Sequence, residues 1–189
     1  MLEHIVLGML IDGPQTGYDL KKLIETGVGT FYKASYGSLY PLLKRLAERG
    51  LLSVREEAYG NRQKKYYQIT EEGKSAFEGW LASPISLTES TDDQLVRVYF
   101  FDRLPAACRE EKLAEYELAN RHYLQRLQGL LARFEGMEHR ERFYYKLSTL
   151  YYGISVMQAT VNWCGLIRKR GELADLLKTH GQEKEEPTW

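Results

Sequence analysis

Hydroxyl and cationic side chains gather in two short stretches of this 189-residue chain, residues 35–45 and 62–65. Serine and tyrosine hydroxyls donate hydrogen bonds to phosphate oxygens, while lysine and arginine both pair with phosphates and reach the edges of bases. These residue types therefore favour non-covalent binding of a phosphate backbone. The candidate contacts, with one earlier tyrosine, are Tyr18, Ser35, Tyr36, Ser38, Tyr40, Lys44, Arg45, Arg62, Lys64 and Lys65.

The positive charge of the chain is concentrated in the same region. The formal net charge is +0, yet residues 30–67 contain eight Lys or Arg against three Asp or Glu. The remainder must be acidic by the same amount. Because non-specific affinity for nucleic acid grows with the number of phosphates neutralised, an acidic remainder would confine binding to this one region.

A leucine stripe predicts the helix that positions these side chains. Residues 35–50 read SYGSLYPLLKRLAERG, and the leucines recur at helical spacing. Tyr40, Lys44 and Glu48 project from the opposite face, with Ser38 flanking them. The buried stripe comprises Leu39, Leu42, Leu43 and Leu46. The stripe should anchor the helix and leave the other face for a partner.

Pro41 limits where this helix can begin, because proline is harmless only in the first turn. Either Ser38 caps the helix, or the helix opens at Ser35 with a distorted first turn. Both alternatives place hydroxyls at the helix N-terminus, which favours anions. Gly50 supplies the left-handed stop.

A two-stranded β-ribbon, the wing, is predicted directly after the helix. Residues 51–55 alternate apolar with polar side chains, residues 59–61 carry a turn signal, and residues 65–69 return as the second strand. Tyr67 and Ile69 should face inward on that strand. A helix followed by such a ribbon is the layout of a winged helix-turn-helix domain.

Four ordered segments resemble the PadR family of bacterial transcriptional regulators. They read VLGMLI at residues 6–11, GPQTGYDL at 13–20, the serine-led helix at 35–50 and KYYQITEEG at 65–73. Their ordered combination is far more specific than any single short motif. The resemblance implies an N-terminal DNA-binding domain and a helical region that forms a homodimer.

The candidate contacts acquire roles in this setting. In a winged helix the recognition helix enters the major groove of double-stranded DNA, and the wing lies along the backbone or minor groove. We therefore expect Lys44 and Arg45 to reach bases, while the wing cations and the hydroxyls contact phosphates. Tyr36 either joins them or packs inward. A dimer would read a pseudo-palindromic operator with half-sites one helical turn (~34 Å), or a small multiple of it, apart.

The predicted fold class is mainly α. Residues 1–82 form the winged helix-turn-helix domain with its two-stranded β-wing, and residues 83–91 a linker. Residues 92–175 form an all-helical antiparallel dimerisation domain, and residues 176–189 a disordered tail. Thr16 and Thr70 are the predicted caps of two helices in the first domain, and Asp19 should complete a capping-box arrangement with Thr16.

Two long helices with heptad spacing indicate how the second domain dimerises. They could pack on each other as a simple hairpin, but stripes this wide would leave apolar surface for a second copy to cover. Asn120 either sets the register of the interface or is solvated at its edge. The predicted dimer interface comprises Leu113, Asn120, Leu127, Phe143, Leu147, Leu150, Ile154, Met157 and Val161.

Regulation by a small aromatic effector is a further hypothesis. Tyr99, Tyr151 and Trp163 fall in the helical domain, where aromatic walls either line a pocket or fill the core. Relatives in the resembled family usually repress, and some longer ones activate virulence genes, so the residues leave both directions open. A winged-helix dimer used as a protein-interaction module is the remaining alternative.

No sequence signature of catalysis, cofactor binding or metal binding occurs. The four histidines are scattered, and neither a phosphate-binding loop nor a zinc-protease motif is present. We therefore expect no enzyme and no cofactor, and assign Cys108 and Cys164 as thiols without chemistry. No stretch is apolar enough for a membrane partner, so a cytoplasmic location is expected.

Overall fold

The structure, a computed structural model, describes residues 1–32, 36–59, 62–135 and 140–178. The chain divides into two compact units, Met1–Arg109 and Glu110–Trp189. The architecture is mainly α with one small antiparallel sheet, which confirms the predicted fold class.

The first unit contains five helices and three strands within the described residues. They are α1 (Leu2–Met9), β1 (Gln15–Thr16), α2 (Gly17–Thr26), α3 (Leu39–Glu48), β2 (Leu52–Tyr59), β3 (Arg62–Ile69), α4 (Glu71–Ala82) and α5 (Thr91–Tyr99). Short 3₁₀ turns at Val28–Thr30, Tyr36–Ser38 and Phe101–Arg103 connect some of them. The order of helices and strands up to α4 is that of a winged helix.

The sheet has three antiparallel strands in the order β1-β3-β2. The wing strands pair from Leu52 with Ile69 out to Tyr59 with Arg62, as the alternating pattern predicts. The extra strand, β1, has two residues that pair with Tyr66 and Tyr67. This short strand ties the start of α2 to the base of the wing.

Side-chain caps fix where two of these helices start. Asp19 donates its backbone N–H to the Thr16 hydroxyl (3.2 Å) at the start of α2, and the hydroxyl in turn donates to the Asp19 carboxylate (2.7 Å). Gly73 donates its N–H to the Thr70 hydroxyl (3.1 Å) at the start of α4. Both predicted caps are confirmed. Each satisfies a backbone donor that the first helical turn leaves unpaired.

The core of the first unit forms where α1, α2, α3 and α4 meet. The predicted leucine stripe of α3 is buried there, with Leu43 and Leu46 both fully buried. Phe77 of α4 packs edge-on against Phe100, with ring centroids 5.3 Å apart. Burial of this apolar surface holds α3 in place and leaves its opposite face in solvent.

Helix α5 also belongs to the first unit, which therefore extends beyond the predicted boundary at residue 82. Arg97 is 2% exposed, and its guanidinium donates to the Trp80 carbonyl (2.6 Å) and the Ser83 carbonyl (3.0 Å). The same group lies 4.7 Å from the centroid of the Trp80 ring. Because a buried guanidinium needs such partners, these contacts fasten α5 and the predicted linker to α4.

The second unit is a helical hairpin. Helix α6 runs through Ala106–Glu135, α7 through Tyr144–Arg168 and the short α8 through Asp175–Lys178. Contacts pair the two ends of the long helices in reverse order: Glu117 with Arg168 (2.6 Å) and Phe134 with Phe143 (6.3 Å between centroids). The long helices are therefore antiparallel, as predicted. The predicted tail beyond residue 178 lies outside the described residues.

Candidate nucleic-acid interface

Helix α3 presents the predicted outward face. Tyr40 is 57% exposed and the Lys44 side chain 80% exposed, and Arg45 is also exposed. The α-helix begins at Leu39, so Pro41 lies in its first turn. Ser38 is in the N-cap position, but the predicted capping by its side chain is not borne out. Ser38 makes no side-chain cap bond, because its helical backbone angles continue the preceding 3₁₀ turn.

A cavity of about 440 Å³ lies where α3, the start of α2 and the wing meet. It brings together four of the predicted DNA contacts: Tyr18, Tyr40, Lys64 and Lys65. The remaining lining residues are Thr16, Gly17, Asp19 and Tyr67. We call the surface lined by these eight residues the concave face. Its hydroxyls, lysine ammonium groups and helix N-terminus suit an anionic partner.

Sequence reasoning did not assign the four additional residues to this surface. Thr16 and Asp19 were assigned to capping alone, and Gly17 received no role. Tyr67 was predicted to face inward, and it is half-buried on the side of β3 that lines the concave face. The pairing of β1 with β3 brings these residues to the wing, and a two-residue strand has no periodicity to predict it.

Carboxylates accompany the cations on this surface. Lys65 pairs with Glu56 (3.0 Å) on the neighbouring strand, and Lys44 lies 3.7 Å from Glu48 one turn along α3. The hydrogen bond that Lys65 donates to the Glu56 carboxylate raises the pKa of Lys65, which is therefore fully charged at neutral pH. Exposed pairs of this kind contribute little to stability. Phosphate oxygens can therefore replace these carboxylates without unfolding the domain.

Some predicted contacts lie outside the described part of the chain. Ser35 is one, and for Tyr36 and Arg62 the structure describes the backbone but not the side chains. Tyr36 begins the 3₁₀ turn before α3, and Arg62 begins β3 at the tip of the wing. Their predicted roles stay predictions.

The predicted interface residues of the hairpin fall into two groups. Leu113, Asn120, Leu147 and Val161 are buried in the chain. Asn120 is 1% exposed and donates its side-chain amide to the Tyr116 carbonyl (2.8 Å), so it is neither at a solvated edge nor turned outward. The half-buried group, which keeps surface for a partner, comprises Leu127, Phe143, Leu150, Ile154 and Met157.

An apolar groove of about 510 Å³ runs between α6 and α7. Its walls include Leu127, Leu150 and Met157 from the predicted interface, together with Leu130 and Tyr152. Leu130 is 42% exposed and Tyr152 73% exposed. We call this the interhelical groove.

A buried carboxylate links α6 to α7 at the end of the hairpin away from the interhelical groove. Glu117 is 6% exposed and accepts hydrogen bonds from Arg121 (2.9 Å from Nε) and from Arg168 (2.6 Å), which also pairs with Glu110 (2.6 Å). Burial alone would raise the pKa of Glu117, but the hydrogen bonds from Arg168 and Arg121 outweigh burial and lower it. The charged form of Glu117 is therefore the one that the fold stabilises.

Three aromatic residues proposed for an effector pocket do not share one cavity. Tyr99 lines a cavity of about 800 Å³ in the first unit, beside Met9 and Phe100. Tyr151 lines a separate hollow on α7. Trp163 lies twelve residues further along α7, about 18 Å at the helical rise, so a small molecule would not contact both rings in one chain.

Other chemistry finds little support in the described residues. No group of three or more His, Cys, Asp or Glu there could hold a metal ion. Burial, and secondarily the nearby Glu117 carboxylate, raises the pKa of Cys164 to about 12, so its thiol stays protonated and unreactive at neutral pH. No helix in this part of the chain has the length and apolar character needed to cross a membrane.

Comparison with known proteins identifies both regions. Residues 6–79 match the transcriptional regulator PadR-like family, and residues 91–170 match the family described as virulence activator alpha C-term. The negative transcriptional regulator PadR of Bacillus subtilis (strain 168) is 30% identical over 106 residues, which cover 55% of this chain and 58% of that protein. The chain thus spans just over half the length of that relative.

Solved structures of the Bacillus subtilis protein are also similar to this chain. Its complex with operator DNA has a TM-score of 0.45 at 24% identity, covering 89% of this chain and 98% of that chain. Its complex with p-coumaric acid has a TM-score of 0.41 at 24% identity, covering 89% and 97%.

Fold and site together define a winged-helix protein with a helical hairpin. The winged-helix part of the chain, residues 6–79, matches the PadR-like family of transcriptional regulators, as the motifs of the first eighty or so residues predict. The matched family model is described as one of transcriptional regulators.

Proposed function

We propose that this chain is a dimeric repressor that reads a pseudo-palindromic operator in double-stranded DNA. The observation that carries the proposal is the concave face, where Tyr18, Tyr40, Lys64 and Lys65 meet beside the exposed side of α3. Lys44 and Arg45 would contact bases from α3, and the hydroxyls and wing cations would contact phosphates. The similarity to a negative regulator favours repression.

The interhelical groove supports the dimeric part of this proposal. A second copy would cover its exposed apolar walls, and two-fold symmetry would then present two reading heads to one duplex. Leu127, Phe143, Leu150, Ile154 and Met157 are the proposed contacts, because they keep exposed surface. Leu113, Asn120, Leu147 and Val161 would support them from within the hairpin.

Capture of genomic DNA tests this function. The purified chain is mixed with sheared bacterial genomic DNA at physiological salt, and the retained fragments are sequenced. We expect a small set of fragments that share an inverted repeat, with half-sites one helical turn or a small multiple apart. Retention of fragments with no shared sequence, or of none, would contradict the proposal.

An aromatic effector is the proposed signal for release. The cavity beside Tyr99 offers the aromatic ring of Phe100 and the thioether of Met9, with the Asp12–Arg103 ion pair (2.5 Å) at its edge. Such a site suits a small ring with a polar substituent. With p-coumaric acid as the probe, we expect loss of DNA binding in the wild-type chain and a weaker response in Tyr99→Ala. An equal response of the two proteins would move the effector site elsewhere.

Activation is the second candidate function. The match of residues 91–170 to a virulence activator C-terminal family favours it. A promoter fused to a reporter gene separates the two candidates, since expression of the chain should lower the signal of a repressed promoter and raise that of an activated one. Either role would be exercised in the cytoplasm, where the chromosome of a bacterium lies.

A further inference from the structure

Gly17, the first residue of α2, lies directly against the ring of Tyr40. A Cβ atom placed on Gly17 would be 2.6 Å from Tyr40 Cε1, 3.2 Å from Cζ and 3.3 Å from the hydroxyl oxygen. Carbon atoms in contact are normally about 3.5–4.0 Å apart. The tyrosine ring therefore occupies the space that any side chain at position 17 would fill.

Backbone conformation does not explain the glycine at this position. The left-handed glycines of the described chain are Gly13 and Gly50, so the backbone at Gly17 is one that other residues adopt. Glycine is also a poor helix former, and most residues would be more favourable in α2. The absence of a side chain is thus the property that the site uses.

The contact lies on the concave face and not in the hydrophobic core. Tyr40 is 57% exposed, and its ring shares the concave face with Tyr18 and Lys65. Helix α2, in contrast, is held firmly by the Thr16 cap and by fully buried Leu20. A side chain at position 17 would therefore displace the ring of Tyr40 and leave α2 where it is.

We infer that Gly17 is a positioning residue for DNA recognition: its missing side chain lets the Tyr40 ring lie against α2 and so sets where the Tyr40 hydroxyl meets a phosphate. This inference rests on the proposed function. Restoring normal contact distance to a methyl group would move the ring by about 1 Å. Hydrogen bonds weaken steeply with distance and angle, so a shift of this size costs affinity.

A double-mutant cycle tests the inference. Binding of the wild-type chain, Gly17→Ala, Tyr40→Ala and the double variant to one captured genomic fragment is measured by fluorescence anisotropy, with thermal melts in parallel. We expect Gly17→Ala to weaken binding about 10-fold, the scale of one charged hydrogen bond, without lowering the melting temperature. In the Tyr40→Ala background the same change should have an effect of less than about 2-fold.

Gly79→Ala is the matched control. Gly79 also lies in a helix, α4, and an added Cβ there meets nothing within 4 Å. This variant should bind the fragment like the wild-type chain, while gaining the same intrinsic helix propensity as Gly17→Ala.

Three results would overturn the inference while leaving the proposed function intact. The first is a Gly17→Ala variant that binds DNA as tightly as the wild-type chain. The second is an equal loss in the Tyr40→Ala background, which would mean that Gly17 acts on DNA directly. The third is a crystal structure of Gly17→Ala in which the Tyr40 ring has not moved. This result decides the question if the melting temperature of the variant falls. A wild-type chain that retains no DNA fragment would instead contradict the proposed function, and this inference with it.

Discussion

The concave face and the α6–α7 hairpin handle charge in opposite ways. Lys65 and Glu56 meet on the concave side of the wing with exposed side chains, whereas Glu117 in the hairpin is 6% exposed and held by two arginines. Exposed pairs exchange partners at little cost, but a buried carboxylate without its cation is strongly destabilising. On the proposed function, ions that stay near water leave the concave face ready to accept phosphates, while the buried ion pairs hold the register of the hairpin.

The comparison extends to the apolar residues. Helix α3 divides into a buried leucine stripe and a polar face. Helix α7 also has buried residues, among them Leu147, Val161 and Cys164, but it leaves large aromatic side chains in solvent: Tyr144, Tyr145 and Tyr152 are 68%, 82% and 73% exposed. These exposed aromatic side chains favour a partner for the hairpin, while α3 needs none for its own stability.

Charge placed on the predicted dimer face of α7 should break the hairpin side of this comparison most strongly. Leu150→Asp with Ile154→Asp would bury two carboxylates in an apolar interface, and we expect dimer affinity to fall roughly 1000-fold. Light scattering after size exclusion measures the change. Gln158→Asp, at an exposed position of the same helix, should stay dimeric. A stable dimer of the double variant would place the interface elsewhere.

Removing two exposed side chains of α3 should break the DNA-binding side of this comparison. Tyr40→Ala with Lys44→Ala deletes two exposed side chains that make little contact with the core, so we expect operator affinity to fall about 100-fold while the melt and the dimer are unchanged. Anisotropy with the captured fragment provides the measurement. Dissociation of the dimer in this variant would mean that the binding and dimer faces were assigned the wrong way round.

The residues in these two predictions show what sequence can and cannot provide. Periodicity placed Tyr40 outward and Leu43 inward, and local capping rules found Thr16, because both depend on neighbours within one or two turns. The pairing of Glu117 with Arg168 joins residues 51 positions apart, and no local pattern reports it. The burial of Arg97 against Trp80 is a second contact between distant residues that no local pattern reports.

Substitution of Arg168 should sharpen the comparison by changing how the melting temperature depends on pH. Arg168→Met leaves Glu117 with Arg121 alone, and we expect the melting temperature to fall by a few degrees at pH 7. The wild-type pKa of Glu117 lies below its usual 4.5, so the stability it contributes is present above that pH and is lost as the pH falls through the lowered value. The deficit of the variant should therefore shrink in melts below about pH 4.5, and a deficit independent of pH would contradict this role.

The smallest expected effect concerns the carboxylates beside the cations. Glu56→Gln removes the partner of Lys65 and one charge that repels phosphate, so non-specific DNA affinity should rise about 2- to 3-fold with a steeper salt dependence. Glu71→Gln, which breaks the Lys74–Glu71 pair (2.7 Å) on α4, is the control for loss of a carboxylate away from the wing. Equal gains in both variants would reflect net charge alone.

Hydroxyl-radical footprinting of the wild-type chain on a captured fragment tests the central claim most directly. Two concave faces related by dimer symmetry should protect two backbone segments that flank a dyad, with centres about 34 Å or a small multiple apart. A single protected segment, or uniform protection along the fragment, would contradict the account of two symmetric reading heads.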